Sequence, residues 1–163
     1  MSYQILVVDD ERSYFEMLEM APVQDMKFSH ISCPTLINDY LKSNKVDLIL
    51  MDWNLGSSDG VEETKKLKQF MPTMTIPVIM FSGKSDVNQM AFALEQGADD
   101  YVSKPFTINF LMAKINSNLR KYGSNLKPKQ TYFNNVHLDE NTFTISFKGE
   151  NVQFRRKEFM IMK

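Results

Sequence analysis

A single cysteine, Cys33, leaves no internal disulfide to form, which suits a reducing compartment. No helper motif surrounds it, so it is expected to be a small buried or half-buried side chain rather than a nucleophile. No apolar run approaches the length of a membrane span. The N-terminus runs straight into a strand pattern, without the charged and apolar segments of a secretion signal. The expectation is a cytoplasmic protein with no membrane partner. There is no internal repeat and no low-complexity tract, which excludes a repeat array. A large excess of one charge is missing too, the net charge being −1. Its distribution says more than its sum. Residues 1–121 carry 12 Lys and Arg against 16 Asp and Glu, whereas residues 122–163 carry 7 against 4. A weakly basic tail behind an acidic domain fits a nucleic-acid partner. It fits an ordinary fluctuation in a short segment equally well.

What is present is material for a core. The chain is 43% hydrophobic and 24% charged, and its 163 residues suffice for one full domain and a small extra piece. The 12 methionines read as core filler. Ile5-Leu6-Val7-Val8 and Leu48-Ile49-Leu50-Met51 are short, continuous apolar runs, the mark of strands buried on both faces of a parallel sheet. Each run stops on acid: Asp9-Asp10 after the first, Asp52 after the second. In such a sheet the carboxyl ends of the strands line the ligand crevice. The acids therefore converge, and converging like charges want a cation. All-oxygen ligands favour a hard ion such as Mg²⁺. Lys104 sits at the end of a further strand.

Strand patterns at 4–9, 27–32, 47–52, 78–81 and 100–102 alternate with helix patterns. The first helix spans about 11–20, with Phe15 and Leu18 inward. The second opens near Pro34, a good first-turn residue, and runs to about Ser43. The third follows a Gly-Ser-Ser-Asp-Gly turn at 56–60 and ends near Phe70. The fourth runs from Ser85 to Gly97, a helix-stop glycine, and the last spans about 107–122. Five strand–helix repeats imply an α/β domain over 1–122 with a doubly wound, flavodoxin-like sheet of five parallel strands. Residues 123–131 read as a linker. Beyond it the period shortens to alternation at 136–139, 143–147 and 151–154, with Lys148–Asn151 a hairpin turn. This is a short antiparallel β segment within 132–163, followed by a possible helix from about Arg156.

Ile5-Leu6-Val7-Val8-Asp9-Asp10, Asp52-Trp53-Asn54-Leu55-Gly56-Ser57-Ser58-Asp59-Gly60, Phe81-Ser82-Gly83 and Gly97-Ala98-Asp99-Asp100-Tyr101-Val102-Ser103-Lys104-Pro105-Phe106 together resemble the receiver domain of bacterial two-component response regulators. The resemblance covers residues 3–121, and its elements fall in order, each at the correct end of a strand. It implies a switch rather than an enzyme acting on a separate substrate. Asp52 would be the phosphoacceptor, charged by a sensor histidine kinase in the presence of Mg²⁺. Asp10 would be a direct metal ligand, Asp9 a second and water-mediated one, with Asp52 and the backbone carbonyl of Asn54 completing the set. Lys104 and Ser82 would each meet a phosphoryl oxygen. Ser82 and Tyr101 would turn inward on phosphorylation, and a cis peptide before Pro105 would aim Lys104 at the site. Asp9 and Asp10 as mere helix caps would leave Asp52 and Lys104 unexplained. Trp53 is expected to be a packed strand residue beside the site. Gly56 stands where the family has a proline, which loosens the loop without removing a catalytic group. Ser82 stands for a commoner threonine and keeps the hydroxyl. Asp52-Trp53-Asn54 is similar to the chemotaxis-type single-domain receivers.

The tail resembles the start of the winged-helix effector of OmpR-like regulators. Phe154-Arg155-Arg156-Lys157-Glu158-Phe159 matches the opening of that domain's first helix, with Arg155 where the family has threonine. The match covers only the beginning of an effector, so specific DNA binding, which needs a recognition helix in the major groove, is not expected of this chain. OmpR-like regulators pair through residues corresponding to 85–121, with Asp99, Asp100, Lys114 and Arg120 at matching positions. Gln89, Met90 and Phe110 break the charge pattern, so a homodimer there would be more apolar. Two other functions stand beside the switch: a fragment of a DNA-binding transcription regulator, and a degenerate receiver used for docking. A Mg²⁺-dependent phosphatase with an Asp nucleophile usually has a second Asp two residues on, and that position is Asn54.

Overall fold

The computed structural model describes residues 2–23, 25–56, 58–123, 130–133, 136–139, 144–147 and 150–153. Its main body is a five-stranded parallel sheet in the order β2-β1-β3-β6-β7, with β1 Tyr3–Val8, β2 Met26–Ile31, β3 Leu48–Asp52, β6 Val78–Ser82 and β7 Asp100–Ser103. This is the flavodoxin-like winding expected from the five strand–helix repeats. The central strands β3 and β6 are buried at every residue. The edge strand β2 is buried only at Ile31, which accounts for its weaker apolar pattern.

Alternating residues of each strand serve opposite faces. Leu6, Val8, Ile49, Met51 and Met80 pack with Ile37, Val61, Leu67 and Ala93, bringing α2 (Ile37–Ser43), α3 (Gly60–Gln69) and α4 (Val87–Glu95) onto one face. Ile5, Val7, Leu50, Ile79 and Phe81 pack with Phe15, Leu18, Leu111, Ile115 and Leu119, bringing α1 (Ser13–Glu19) and α5 (Ile108–Gly123) onto the other. Each fully buried aliphatic side chain is worth about 1.5–3 kcal/mol of transfer free energy, so the two faces are what hold the strand ends in place.

Local chemistry sets the helix boundaries. The Asp86 carboxylate caps α4 through the N–H groups of Asn88 and Gln89, so that helix starts two residues after the expected Ser85. Asp59 caps α3 through Val61 N–H. Pro34–Leu36 form a 3₁₀ turn before α2 rather than its first turn. Cys33 is exposed, against the expected buried or half-buried side chain. It precedes that turn just past an edge strand, and its Sγ lies 3.0 Å from Thr35 Oγ1.

After Asp52 the chain makes a small hairpin, β4 Asn54–Leu55 against β5 Ser58–Asp59. Gly56 has φ +64° there, a conformation closed to proline. The glycine in place of the family's proline is therefore a hairpin residue. The C-terminal sheet has four antiparallel strands, β8 Gln130–Phe133, β9 Val136–Asp139, β10 Thr144–Phe147 and β11 Glu150–Gln153. The first begins inside the segment expected to be linker. Phe147 pairs with Glu150 across the expected hairpin. Phe154–Phe159 lie outside the described residues.

Candidate functional site

The strand order reverses between β1 and β3, which run side by side at the middle of the sheet. A crevice opens at the carboxyl ends of strands at such a point. Asp9 and Asp10 leave β1 there and Asp52 ends β3, and one carboxylate oxygen from each lies within 4.8 Å of the others. Asp9 is 1% exposed and Asp52 6%, whereas Asp10 is open to solvent.

Lys104 crosses from the end of β7 to reach both buried acids. Its Nζ donates to Asp52 Oδ1 at 2.8 Å and to Asp9 Oδ2 at 3.1 Å. The ammonium also lies 4.1 Å from the centroid of the Tyr14 ring and 4.5 Å from that of Phe81. Two aromatic faces thus form a sleeve for the lysine where it passes the end of β6. Burial pushes the Lys104 pKa down, but the hydrogen bonds and charges of Asp52 and Asp9 outweigh it and hold the pKa above its ordinary value. For Asp9 burial wins. Its carboxyl is raised above the ordinary range, despite hydrogen bonds from Glu11 N–H and the ammonium of Lys104. Three carboxylates face one ammonium, so the cluster is short of positive charge. Its donor set is all oxygen, which fits a hard divalent cation.

The other expected residues are close by. Asn54 N–H donates to Asp52 Oδ2 at 2.7 Å. Ser82 ends β6 with its side chain buried, and its Oγ accepts Lys84 N–H at 3.2 Å. Tyr101 is turned inward and buried. Its hydroxyl donates to the Lys84 carbonyl at 2.6 Å, and burial raises its pKa. The Lys104–Pro105 peptide is cis. Trp53 is buried beside the site as expected, though in the bend between β3 and β4 rather than in a strand, with the Lys84 ammonium 4.2 Å above its ring.

Four residues that shape the site were not expected from the sequence. Tyr14 and Phe81 form the lysine sleeve. Gly60 was expected only as a turn residue, yet a Cβ there would lie 1.8 Å from the Asp52 carbonyl oxygen. The start of α3 can approach the end of β3 only because position 60 has no side chain. His30 donates from β2 to the Asp9 carbonyl oxygen at 2.8 Å. The glycine carried a usable signal, lying eight residues after the acid at a helix start. The others act across elements far apart in the chain.

A model described as the response regulator receiver domain matches residues 5–116. The phosphate regulon transcriptional regulatory protein PhoB of Pseudomonas aeruginosa is 30% identical over 163 residues, which cover 98% of this chain and 70% of that protein. The response regulator ArlR of Staphylococcus haemolyticus is 30% identical over 161 residues, 97% of this chain and 70% of that one. Among solved structures, the response regulator DrrB, a Thermotoga maritima OmpR/PhoB homolog, aligns with a TM-score of 0.61 at 26% identity, over 99% of this chain and 71% of that one.

Proposed function

This chain belongs to the response regulator receiver family and is a two-component response regulator, and from that premise we propose that Asp52 accepts a phosphoryl group from a sensor histidine kinase. The observation that carries this is the Lys104 bridge between Asp52 and Asp9. Phosphoryl transfer asks a protein for a nucleophile, for positioning and for neutralisation of charge. An oxygen of Asp52 forms the new O–P bond as the P–N bond to the kinase histidine breaks, and the electron pair leaves with that nitrogen. Asn54 N–H holds Asp52 Oδ2 at 2.7 Å, which fixes the carboxylate plane. Lys104, a compact charge on a flexible stem, is placed to exchange a carboxylate oxygen for a phosphoryl oxygen. Ser82 has a hydroxyl proton to donate to another.

Asp9, Asp10 and Asp52, with the carbonyl of Asn54, would hold Mg²⁺. When bound, the ion supplies charge neutralisation on the transferring phosphoryl group. The coupling outward runs from Ser82 through Lys84 to Tyr101. The N–H of Lys84 is bonded to Ser82 Oγ and its carbonyl to Tyr101 Oη, so a shift of Ser82 toward a phosphoryl group pulls on the loop that leads into α4. This is a population shift between two arrangements. With Asn54 two residues after the nucleophile, turnover of free phosphoesters is not expected.

The test is intact-protein mass after incubation with Mg²⁺ and acetyl phosphate. Wild type is expected to gain one phosphoryl group and Asp52→Asn none. Equal uptake by the two removes the assignment. No uptake by wild type that still binds Mg²⁺ supports a docking module instead.

The output reading is of an OmpR-like regulator. Residues 1–122 are taken as the receiver, and the winged-helix effector start, expected at 132–163, is moved back to Gln130, where β8 begins. The four-stranded antiparallel sheet supports this, as does a match that runs through the tail into a transcriptional regulator. For self-association the face of α4, β7 and α5 is the candidate. Met90, expected to stand exposed beside Phe110 at this contact, is instead partly buried against the core, while Phe92 on α4 is 46% exposed and Phe110 on α5 50%. Asp100 of that face is already paired with Lys114 in the same chain. An apolar contact between two copies replaces the family's charge network. Sedimentation should show dimers when beryllofluoride stands in for the phosphoryl group, and a monomer with and without it overturns the pairing.

A further inference from the structure

We infer that His30 is a positioning residue for the acid pair, its Nε2–H holding the Asp9 carbonyl and so fixing the peptide plane that joins Asp9 to Asp10. The inference rests on the metal-binding reading of these acids.

The parallel ladder of β1 and β2 ends at Val8 opposite Ile31. One further main-chain bond runs from Asp9 N–H to the Ile31 carbonyl at 3.2 Å. The chain then bends at Ser32, so the ladder offers no donor for the next carbonyl, that of Asp9. The His30 ring reaches it instead at 2.8 Å. A carbonyl oxygen only accepts, so Nε2 must carry the proton. The ring is itself held, stacked on buried Phe15 at 5.1 Å and 30°, with the Arg12 guanidinium over the same Phe15 ring. Residue 9 is thus tied to β2 at both its N–H and its carbonyl.

This matters more for Asp10 than for Asp9. The Asp9 carboxylate has its own anchors in Glu11 N–H and Lys104. Among the described residues the Asp10 carboxylate has no hydrogen-bond partner, and it is exposed. Its direction is therefore set by the backbone, through the plane of the 9–10 peptide. Groups that orient a metal ligand without touching the metal commonly change affinity by about 10–100-fold when removed.

Two substitutions separate the hydrogen bond from the packing. His30→Phe keeps a ring against Phe15 and deletes the donor. His30→Gln deletes the ring and keeps an N–H that can reach the carbonyl. Mg²⁺ affinity is measured by calorimetry, with thermal unfolding in the absence of Mg²⁺ as the check on folding. His30→Phe should weaken Mg²⁺ binding by about tenfold with a melting temperature near wild type. His30→Gln should bind within about threefold of wild type even as its melting temperature falls. Wild-type affinity in His30→Phe overturns the inference, and so does equal weakening in both variants, which assigns the effect to ring packing. A wild-type chain that binds no Mg²⁺, or whose binding survives Asp10→Asn, overturns the metal reading instead, and the inference with it.

Discussion

Two lysines are mostly buried at opposite ends of the same sheet, and they are treated differently. Lys68 and Asp99 lie at the amino ends of the strands, each side chain 11% exposed. Lys68 Nζ donates to Asp99 Oδ2 at 2.6 Å and to the Ile76 carbonyl at 2.6 Å. Asp99 also accepts Val78 N–H and the Tyr122 hydroxyl. Among the described residues one cation meets one anion there, and the Asp99 lone pairs that remain have donors. At the carboxyl ends Lys104, 13% exposed, serves Asp9 and Asp52 together, with Asp10 beside them unpaired among the described residues. The first arrangement is complete and joins α3, β6 and α5. The second carries two negative charges more than it can neutralise, and that shortfall is its capacity to take up a cation or a phosphoryl group. Burial alone does not separate a structural ion pair from a functional one. The balance of charge and donors does.

Removing each lysine should break the symmetry between the two ends. Lys68→Met leaves Asp99 buried with no opposite charge, and the expected cost is about 3–5 kcal/mol, measured by denaturant unfolding and unchanged by Mg²⁺. Lys104→Met should cost as much without Mg²⁺, about 3–5 kcal/mol, because Asp9 and Asp52 are no more exposed than Asp99, but its three acids can recruit a cation. Losing the ammonium should tighten Mg²⁺ binding, and a roughly tenfold gain in affinity over wild type returns about 1.4 kcal/mol of that cost at saturating Mg²⁺. If Mg²⁺ reduces the cost of Lys68→Met, taken against wild type at the same Mg²⁺, as much as it reduces that of Lys104→Met, the two ends do not differ in the way their hydrogen bonds indicate.

The carboxyl end was largely legible in the sequence because its chemistry is punctuation. Asp9, Asp10, Asp52 and Lys104 each close a strand, and a continuous apolar run gives the strand away. The amino end was not. Asp99 was expected at a dimer contact and is engaged with Lys68 and Tyr122 inside the chain, a pairing that spans 31 residues in one direction and 23 in the other. His30 and Tyr14 were equally invisible, since a side chain that reaches across two elements leaves no periodic trace. Strand β8 was missed because Gln130-Thr131-Tyr132-Phe133 follows a Lys-Pro-Lys stretch and starts polar. Cys33 was misplaced because a small apolar side chain is buried by default, whereas here it follows the end of an edge strand.

The smallest predicted effect is the most specific to the difference between the two kinds of acid. The Asp9 carboxyl is raised by burial, so its contribution to stability is fully present below the ordinary carboxylate pKa and is lost as pH rises through the raised value. Asp100, beside the apolar α4–α5 face, runs the other way. Burial pushes it up, but Lys114, Tyr101 N–H and Asn118 outweigh that and hold it below the ordinary range. Its contribution is present above the ordinary pKa and is lost as pH falls through the lowered one. Asp9→Asn should therefore match wild type in acid and exceed its stability at neutral pH by about 1 kcal/mol, the usual size of the gain when a functional group is traded for a structural one. Asp100→Asn should be the less stable protein at neutral pH, with the gap closing in acid. Unfolding free energies of the three proteins across the acid-to-neutral range, without Mg²⁺, give the two slopes. If Asp9→Asn is no more stable than wild type at neutral pH, Lys104 alone balances the buried acids, and the charge shortfall at the carboxyl end rests on Asp10.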